Sequence, residues 1–163
     1  MNIVGTTLTT PGFCDWLQAS LDEFDTPPGH LDLEIVESSV FDEFEAVVGV
    51  MQDVVALGVT FSLDDFGTGH SSLAYLRCLP VTTLKIDRSF VASMLDHPRD
   101  AALCSGIIAI ARDLGLITVA EGVETAGQCE VLRSYLCDQL QGYHFAKPMP
   151  PAAATEYLTR RGI

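Results

Sequence analysis

The sequence predicts an α/β fold built on a parallel sheet, in about six β/α units. Three observations support this. Helix-period segments end at glycine and give way to short apolar runs. Each run closes on an acidic or amide side chain. The cycle then repeats along the 163 residues without a linker or low-complexity tract. Strands and helices that alternate in this way favour right-handed crossovers and a parallel sheet.

The elements follow in order. A short first strand lies around Met1 to Val4, and Pro27-Pro28-Gly29 forms a turn before the second, Leu31 to Val36. Glu34 and Glu37 stand near the end of that strand. Residues 41–57 place Phe41, Phe44, Val48, Met51 and Val55 at helical spacing, and Gly58 supplies the left-handed residue that stops the helix. Val59 to Leu63 then reads as a strand closing on Asp64-Asp65. Thr83 to Ile86 carries Lys85 and is followed by Asp87. The same order returns as a helix over 100–114, Gly115, a strand from Leu116 to Ala120, and Glu121. Thr125 and Gln128 form a capping box opening the next helix. Glu124, just ahead of it, suits the positive end of the helix dipole. Gln139-Leu140-Gln141 is the last short strand, and Pro148-Met149-Pro150-Pro151 is a turn.

Composition narrows the function. With 22 acidic against 9 basic residues the net charge is −13, so the chain would repel a polyanion, and a DNA or RNA polymer is not an expected partner. No apolar run approaches a membrane span and no signal peptide opens the sequence. The five cysteines are odd in number and include no Cys-x-x-Cys pair, which fits reduced structural thiols in a cytoplasmic protein. His30, His97 and His144 lack a second histidine at metal-ligand spacing and read as surface or turn residues. Acidic groups such as Asp22, Glu23 and Asp25, or Asp42, Glu43 and Glu45, read as solvated helix faces.

In a parallel α/β fold, chemistry gathers where strands end. Asn2, Glu34, Asp64, Asp65, Lys85, Asp87, Glu121 and Gln141 all fall there. Carboxylates brought to one rim raise one another's pKa unless cations neutralise them. Hard oxygen donors, with an amide carbonyl from Asn2, suit Mg²⁺ or Mn²⁺ and not zinc. Adjacent Asp64 and Asp65 are placed to share two metals, which would activate water for in-line phosphoryl displacement. Lys85 would hold the hydroxide or offset charge. Gly67 and Gly69 would let the loop turn sharply. The residues alone therefore point to a metal-dependent phosphoester hydrolase.

Leu31-Asp32-Leu33-Glu34-Ile35-Val36-Glu37-Ser38 and Asp64-Asp65-Phe66-Gly67-Thr68-Gly69 resemble motifs of the EAL domain, the bacterial cyclic di-GMP phosphodiesterase. Leu84-Lys85-Ile86-Asp87, Ala120-Glu121-Gly122-Val123-Glu124 and Gln141-Gly142-Tyr143 continue the match in the same order. The resemblance implies a modified TIM barrel that opens cyclic di-GMP to linear pGpG with Mg²⁺ or Mn²⁺. It implies Asn2, Glu34 and Asp64 as ligands of one metal, and Asp64 and Asp65 as ligands of the second. Glu121 would bind that second metal or act as general base. Lys85 would orient the attacking water, Gln141 would support the site, and Glu37 would anchor the loop after Asp65. Asp87 and Glu124 match motif positions as site support.

Departures from the family qualify this. The Glu-Ala-Leu signature, whose glutamate ligates metal and whose nearby arginine holds substrate, does not occur among these residues. Val4 and His70 stand where the family often has serine and tyrosine. The expectation is one EAL-like domain over 1–163, a TIM-barrel-like α/β fold incomplete at its N-terminus, with impaired turnover. The other expectation is a degenerate EAL module that binds cyclic di-GMP or a protein partner without hydrolysis. Open barrel edges further imply self-association.

Overall fold

The computed structural model describes residues 1–40, 44–67 and 73–162. Six strands, β1 (Asn2–Ile3), β2 (Asp32–Val36), β3 (Thr60–Phe66), β4 (Thr83–Ile86), β5 (Ile117–Ala120) and β6 (Gln139–Leu140), form one parallel sheet in chain order. Among the described residues, eight α-helices accompany them. These are α1 (Gly5–Leu8), α2 (Phe13–Glu23), α3 (Phe44–Ala56), α4 (Leu73–Leu76), α5 (Arg88–Ser93), α6 (Pro98–Asp113), α7 (Ala126–Ser134) and α8 (Pro151–Arg161). Strand–helix alternation with parallel neighbours gives the β/α-barrel arrangement. Among the described residues it is open, with β1 and β6 as its edges.

Side chains alternate across a strand, so each strand divides its residues between two faces. On β2, Leu33 and Ile35 are fully buried, while Asp32, Glu34 and Val36 alternate with them. On β3, Phe61 and Leu63 are buried against the helices, and Thr60, Ser62 and Asp64 take the other face. The helix side of the sheet is thus a continuous apolar core. Val47, Met51 and Val54 of α3, and Cys104, Ile107, Ile108 and Ala111 of α6, pack into it. The inner side is polar. There Asp32 accepts hydrogen bonds from the Thr60 hydroxyl at 2.7 Å and the Ser62 hydroxyl at 2.6 Å, one layer below Glu34.

The predicted elements are present with small displacements. Gly58 and Gly115 have left-handed φ values of 96° and 74° after their helices, as expected of C-terminal stops. The capping box of Thr125 and Gln128 is formed. The third strand starts at Thr60 and runs on to Phe66, so Asp64 and Asp65 lie within the strand instead of after it. On α3 the buried stripe is Val47, Met51 and Val54, while Val55 is 40% exposed. That helix is apolar nearly all round, so packing and not periodicity selects its inward face. Phe41, Asp42 and Glu43, and likewise Thr68, Gly69 and His70, lie outside the described residues. Helix α8 follows the predicted proline turn but buries no residue, hence it left no apolar period to read.

The cysteines are free thiols among the described residues, and burial pushes the Cys104 thiol up to about 11. No helix among the described residues is long and apolar enough to cross a membrane.

The last strand is fastened by one side chain. Asp138 accepts from the Thr118 amide at 2.8 Å and its hydroxyl at 2.7 Å, and the Asp138 amide donates back to that hydroxyl at 3.0 Å. These bonds hold the Asp138 carboxyl below the usual range. Its stabilising contribution is therefore complete above the ordinary Asp pKa and is lost as pH falls through the lowered value. Asp138→Ala should cost about 1–3 kcal/mol in urea unfolding at pH 7, because the buried Thr118 donors lose their acceptor. The gap from the parent protein should close as pH falls below about 4.

Candidate functional site

Four of the predicted residues meet at one point. Lys85, only 6% exposed, extends from β4 to the inner face of the sheet. Its Nζ lies 3.0 Å from Glu34 Oε2, 3.2 Å from Asp64 Oδ1 and 2.7 Å from Glu121 Oε1. These three carboxylates come from β2, β3 and the residue after β5. Glu121 follows its strand, whereas Glu34 is the middle residue of β2 and Asp64 lies two residues before the end of β3, so of these three the sequence expectation of strand ends holds only for Glu121. Asn2 is in register with Glu34 on β1, which sets it at the edge of the same rim.

A bulge brings Asp64 and Asp65 both opposite Lys85. Leu63 pairs with Leu84 and Phe66 pairs with Ile86, leaving two residues of β3 against one of β4. Asp65 absorbs the irregularity with a left-handed φ of 55°, and its amide donates to Asp64 Oδ1 at 3.1 Å. Without the bulge, period-two alternation would send Asp65 to the helix face of the sheet.

Asp65 is also hydrogen-bonded to Asp87. Burial, then the neighbouring charges of Asp64 and Asp87, push the Asp65 carboxyl above its ordinary range. Burial acts the same way on Asp87, but the hydroxyl and amide of Ser89 overcome it and hold Asp87 low. Asp87 is the N-cap of α5, a role that the Asp-x-Ser spacing permits. For Lys85, burial disfavours the charge, but hydrogen bonds to Glu121 and Glu34 outweigh it and hold the ammonium well above its usual pKa.

The other predicted residues surround this rim. Glu37, buried, accepts from the Gly67 amide at 3.4 Å and so lies beneath the loop that leaves Asp65. The Gln141 side chain is exposed, whereas its backbone clamps the segment after Glu121. Its amide donates to Ala120 O at 2.9 Å, and its carbonyl accepts from the Val123 amide at 3.0 Å. The Glu124 side chain is exposed, and its amide is taken up by Gln128. Sequence reading missed Asp32 as part of the inner face, and it missed the reach of Gln128. The alternation of Leu33, Glu34 and Ile35 was enough to place Asp32. Nothing local marks the second.

The donor set fits divalent cations. Glu34, Asp64 and Glu121 carry three negative charges against one from Lys85, and Asp65 and Asp87 add acidic oxygens at the rim. All donors are hard oxygens, the type that Mg²⁺, Mn²⁺ and Ca²⁺ take. The whole net charge of −13 arises before Arg77, for residues 1–76 contain no lysine or arginine. Glu34 and Asp64 therefore have no cation from their own half of the chain. Among the described residues no three of His, Cys, Asp and Glu already form a cage, since the Lys85 ammonium takes the centre. A cavity of about 410 Å³ opens beside Asn2, Asp64 and Asp65 and is walled by Phe13 and Trp16. Another of about 360 Å³ lies on the far side, between Gln141, Tyr143, Lys147 and Tyr157.

The EAL domain family profile matches residues 1–148. The Pseudomonas aeruginosa cyclic di-GMP phosphodiesterase NbdA is 39% identical over 158 residues, which cover 97% of this chain and 20% of that protein. The solved c-di-GMP complex of the PaMucR phosphodiesterase superposes with a TM-score of 0.89 at 40% identity, covering 94% of this chain and 62% of that one. The manganese and cyclic di-GMP complex of Klebsiella pneumoniae BlrP1 gives a TM-score of 0.85 at 28% identity, covering 91% and 38%. Its calcium complex is also similar, with a TM-score of 0.84. The chain thus spans about a fifth of the length of curated relatives such as NbdA.

The Lys85 cluster yields a stability test. Lys85→Met leaves three carboxylates facing one another without their cation. Unfolding free energy at pH 7 should fall by about 2–4 kcal/mol, less than for a wholly buried pair because Glu34 and Glu121 keep contact with water. Urea denaturation measures this. A variant as stable as the parent would mean that the ammonium does not bind the cluster together.

Proposed function

This chain belongs to the EAL domain family, and on that footing we propose that it acts on cyclic di-GMP as a Mg²⁺- or Mn²⁺-dependent phosphodiesterase, releasing linear pGpG. The single observation supporting this is the meeting of Glu34, Asp64 and Glu121 on Lys85 at one rim.

Asn2, Glu34 and Asp64 would hold one cation, and Asp64 and Asp65 the second. Bound cations would neutralise phosphate charge and ease deprotonation of water. Glu121 would take the proton of the attacking water, and Lys85 would orient that water while offsetting charge on the phosphoryl oxygens. One water adds across one phosphodiester bond: its oxygen joins phosphorus, and the released ribose oxygen gains a proton. Glu37 would hold the loop after Asp65 in place through the Gly67 amide. Gln141 would fix the path of the segment carrying Glu121, and Asp87 and Glu124 would support the rim.

A second reading is binding of cyclic di-GMP, or of a protein partner, without hydrolysis. The observation favouring it is that the Lys85 ammonium takes the centre of the Glu34, Asp64 and Glu121 cluster, where a cation would otherwise sit. We further propose that the open edges at β1 and β6 pair with a second copy. Exposed Met1, Val4 and Trp16 near one edge, and Leu136 and Tyr143 near the other, present apolar surface. The domain would act in the cytoplasm.

Incubation with cyclic di-GMP and Mn²⁺, followed by chromatography, should give pGpG, and Glu121→Ala should slow it by about 10²–10⁴-fold. Binding in calorimetry with Ca²⁺, but no product with Mn²⁺, would replace hydrolysis by the second reading. Light scattering at micromolar concentration should show a dimer or larger species. A compact monomer would refute the edge pairing.

A further inference from the structure

Gln128 is 5% exposed and makes more contacts than a helix cap needs. Its Oε1 accepts from the Glu124 amide at 2.8 Å and the Thr125 amide at 2.9 Å, while its own amide donates to Thr125 Oγ1 at 3.2 Å. Those bonds complete the N-terminal cap of α7. The Nε2 group points elsewhere and donates to the Val91 carbonyl at 3.0 Å, across 37 residues of chain. Val91 is buried in α5, and its carbonyl is among the last four of that helix, the groups that a helix end leaves to outside partners.

A second contact joins the same two segments. Gly122 adopts a left-handed φ of 68°, and a Cβ there would lie 2.6 Å from Arg88 Cβ, so the backbone after Glu121 lies directly on the first residue of α5. The segment following β5 and the helix following β4 are therefore joined at both ends of their contact, by Gly122 on Arg88 and by Gln128 on Val91. One segment begins at Glu121 and the other at Asp87.

We propose that Gln128 is a positioning residue that fixes the spacing between Glu121 and Asp87, and with it the carboxylate rim. A glutamate would serve the cap equally well, since a capping box takes either residue. It would set a carboxylate oxygen against the Val91 carbonyl, where a donor is required. Glutamine is the side chain that meets both demands. The catalytic consequence rests on the phosphodiesterase reading; the mechanical one does not.

Two variants separate bridging from capping. Gln128→Glu keeps the cap acceptor and loses the donor to Val91, whereas Thr125→Ala weakens the cap and keeps the bridge. Amide hydrogen exchange should accelerate over residues 87–91 in Gln128→Glu, with the Glu124 and Thr125 amides still protected. Thr125→Ala should accelerate exchange of the Gln128 backbone amide, which loses its Thr125 Oγ1 acceptor, while residues 87–91 stay protected. Calorimetric Mn²⁺ affinity should weaken about tenfold in Gln128→Glu, as for residues that orient metal ligands, and stay near the parent value in Thr125→Ala. Turnover of cyclic di-GMP should fall in kcat with little change in KM. The proposal is overturned if Gln128→Glu keeps parental exchange over residues 87–91, or if it binds Mn²⁺ as tightly as the parent. A parent protein that neither binds nor hydrolyses cyclic di-GMP removes the phosphodiesterase reading alone, and the exchange data still decide the bridge.

Discussion

One buried ammonium holds the inner face of this sheet together. Lys85 is the meeting point of carboxylates from three strands, and each would repel the others if left alone at this distance. The acidic half of the chain brings no cation of its own, so β4 must lie beside β3 before β2 and β3 can present Glu34 and Asp64 together. Lys85 does not neutralise the rim completely, and the excess negative charge is what makes hard divalent cations fitting occupants.

The bulge in β3 serves the same end by different means. A regular strand offers one inner side chain for every two residues. Asp64 and Asp65 both reach the rim only because the pairing to β4 slips between Leu63 and Phe66 and Asp65 takes a left-handed backbone. A non-glycine residue there carries strain. Its hydrogen bonds to Asp64 and Asp87, and the grip of Glu37 on the Gly67 amide, hold the distorted segment.

Around that centre, backbone clamps set the loops. Asp138 fastens β6 to β5, the main chain of Gln141 brackets the segment after Glu121, and Gln128 links that segment to α5. Gly142 belongs to the same closure, for a Cβ there would lie 2.1 Å from the Val123 carbonyl oxygen. Little of this involves charged groups of the rim, yet each contact limits where Glu121 can stand.

The sequence by itself determined the α/β class, the six strands in order, the helix stops at Gly58 and Gly115, and the capping box at Thr125. These follow from local chemistry: apolar period, the conformational freedom of glycine, and short-range hydrogen bonding. The gathering of Glu34, Asp64, Lys85 and Glu121 towards the C-terminal halves of successive strands was also legible, although Glu34, Asp64 and Lys85 lie inside their strands and only Glu121 follows one. Only the tertiary structure decided that Lys85 would sit among the other three, that Asp64 and Asp65 would share one side of a bulge, and which stripe of α3 would face the sheet. Those outcomes depend on register between strands far apart in the chain and on competition among nearly equivalent apolar faces. No local pattern encodes the reach of the Gln128 amide to Val91, since its partner lies 37 residues away on another element.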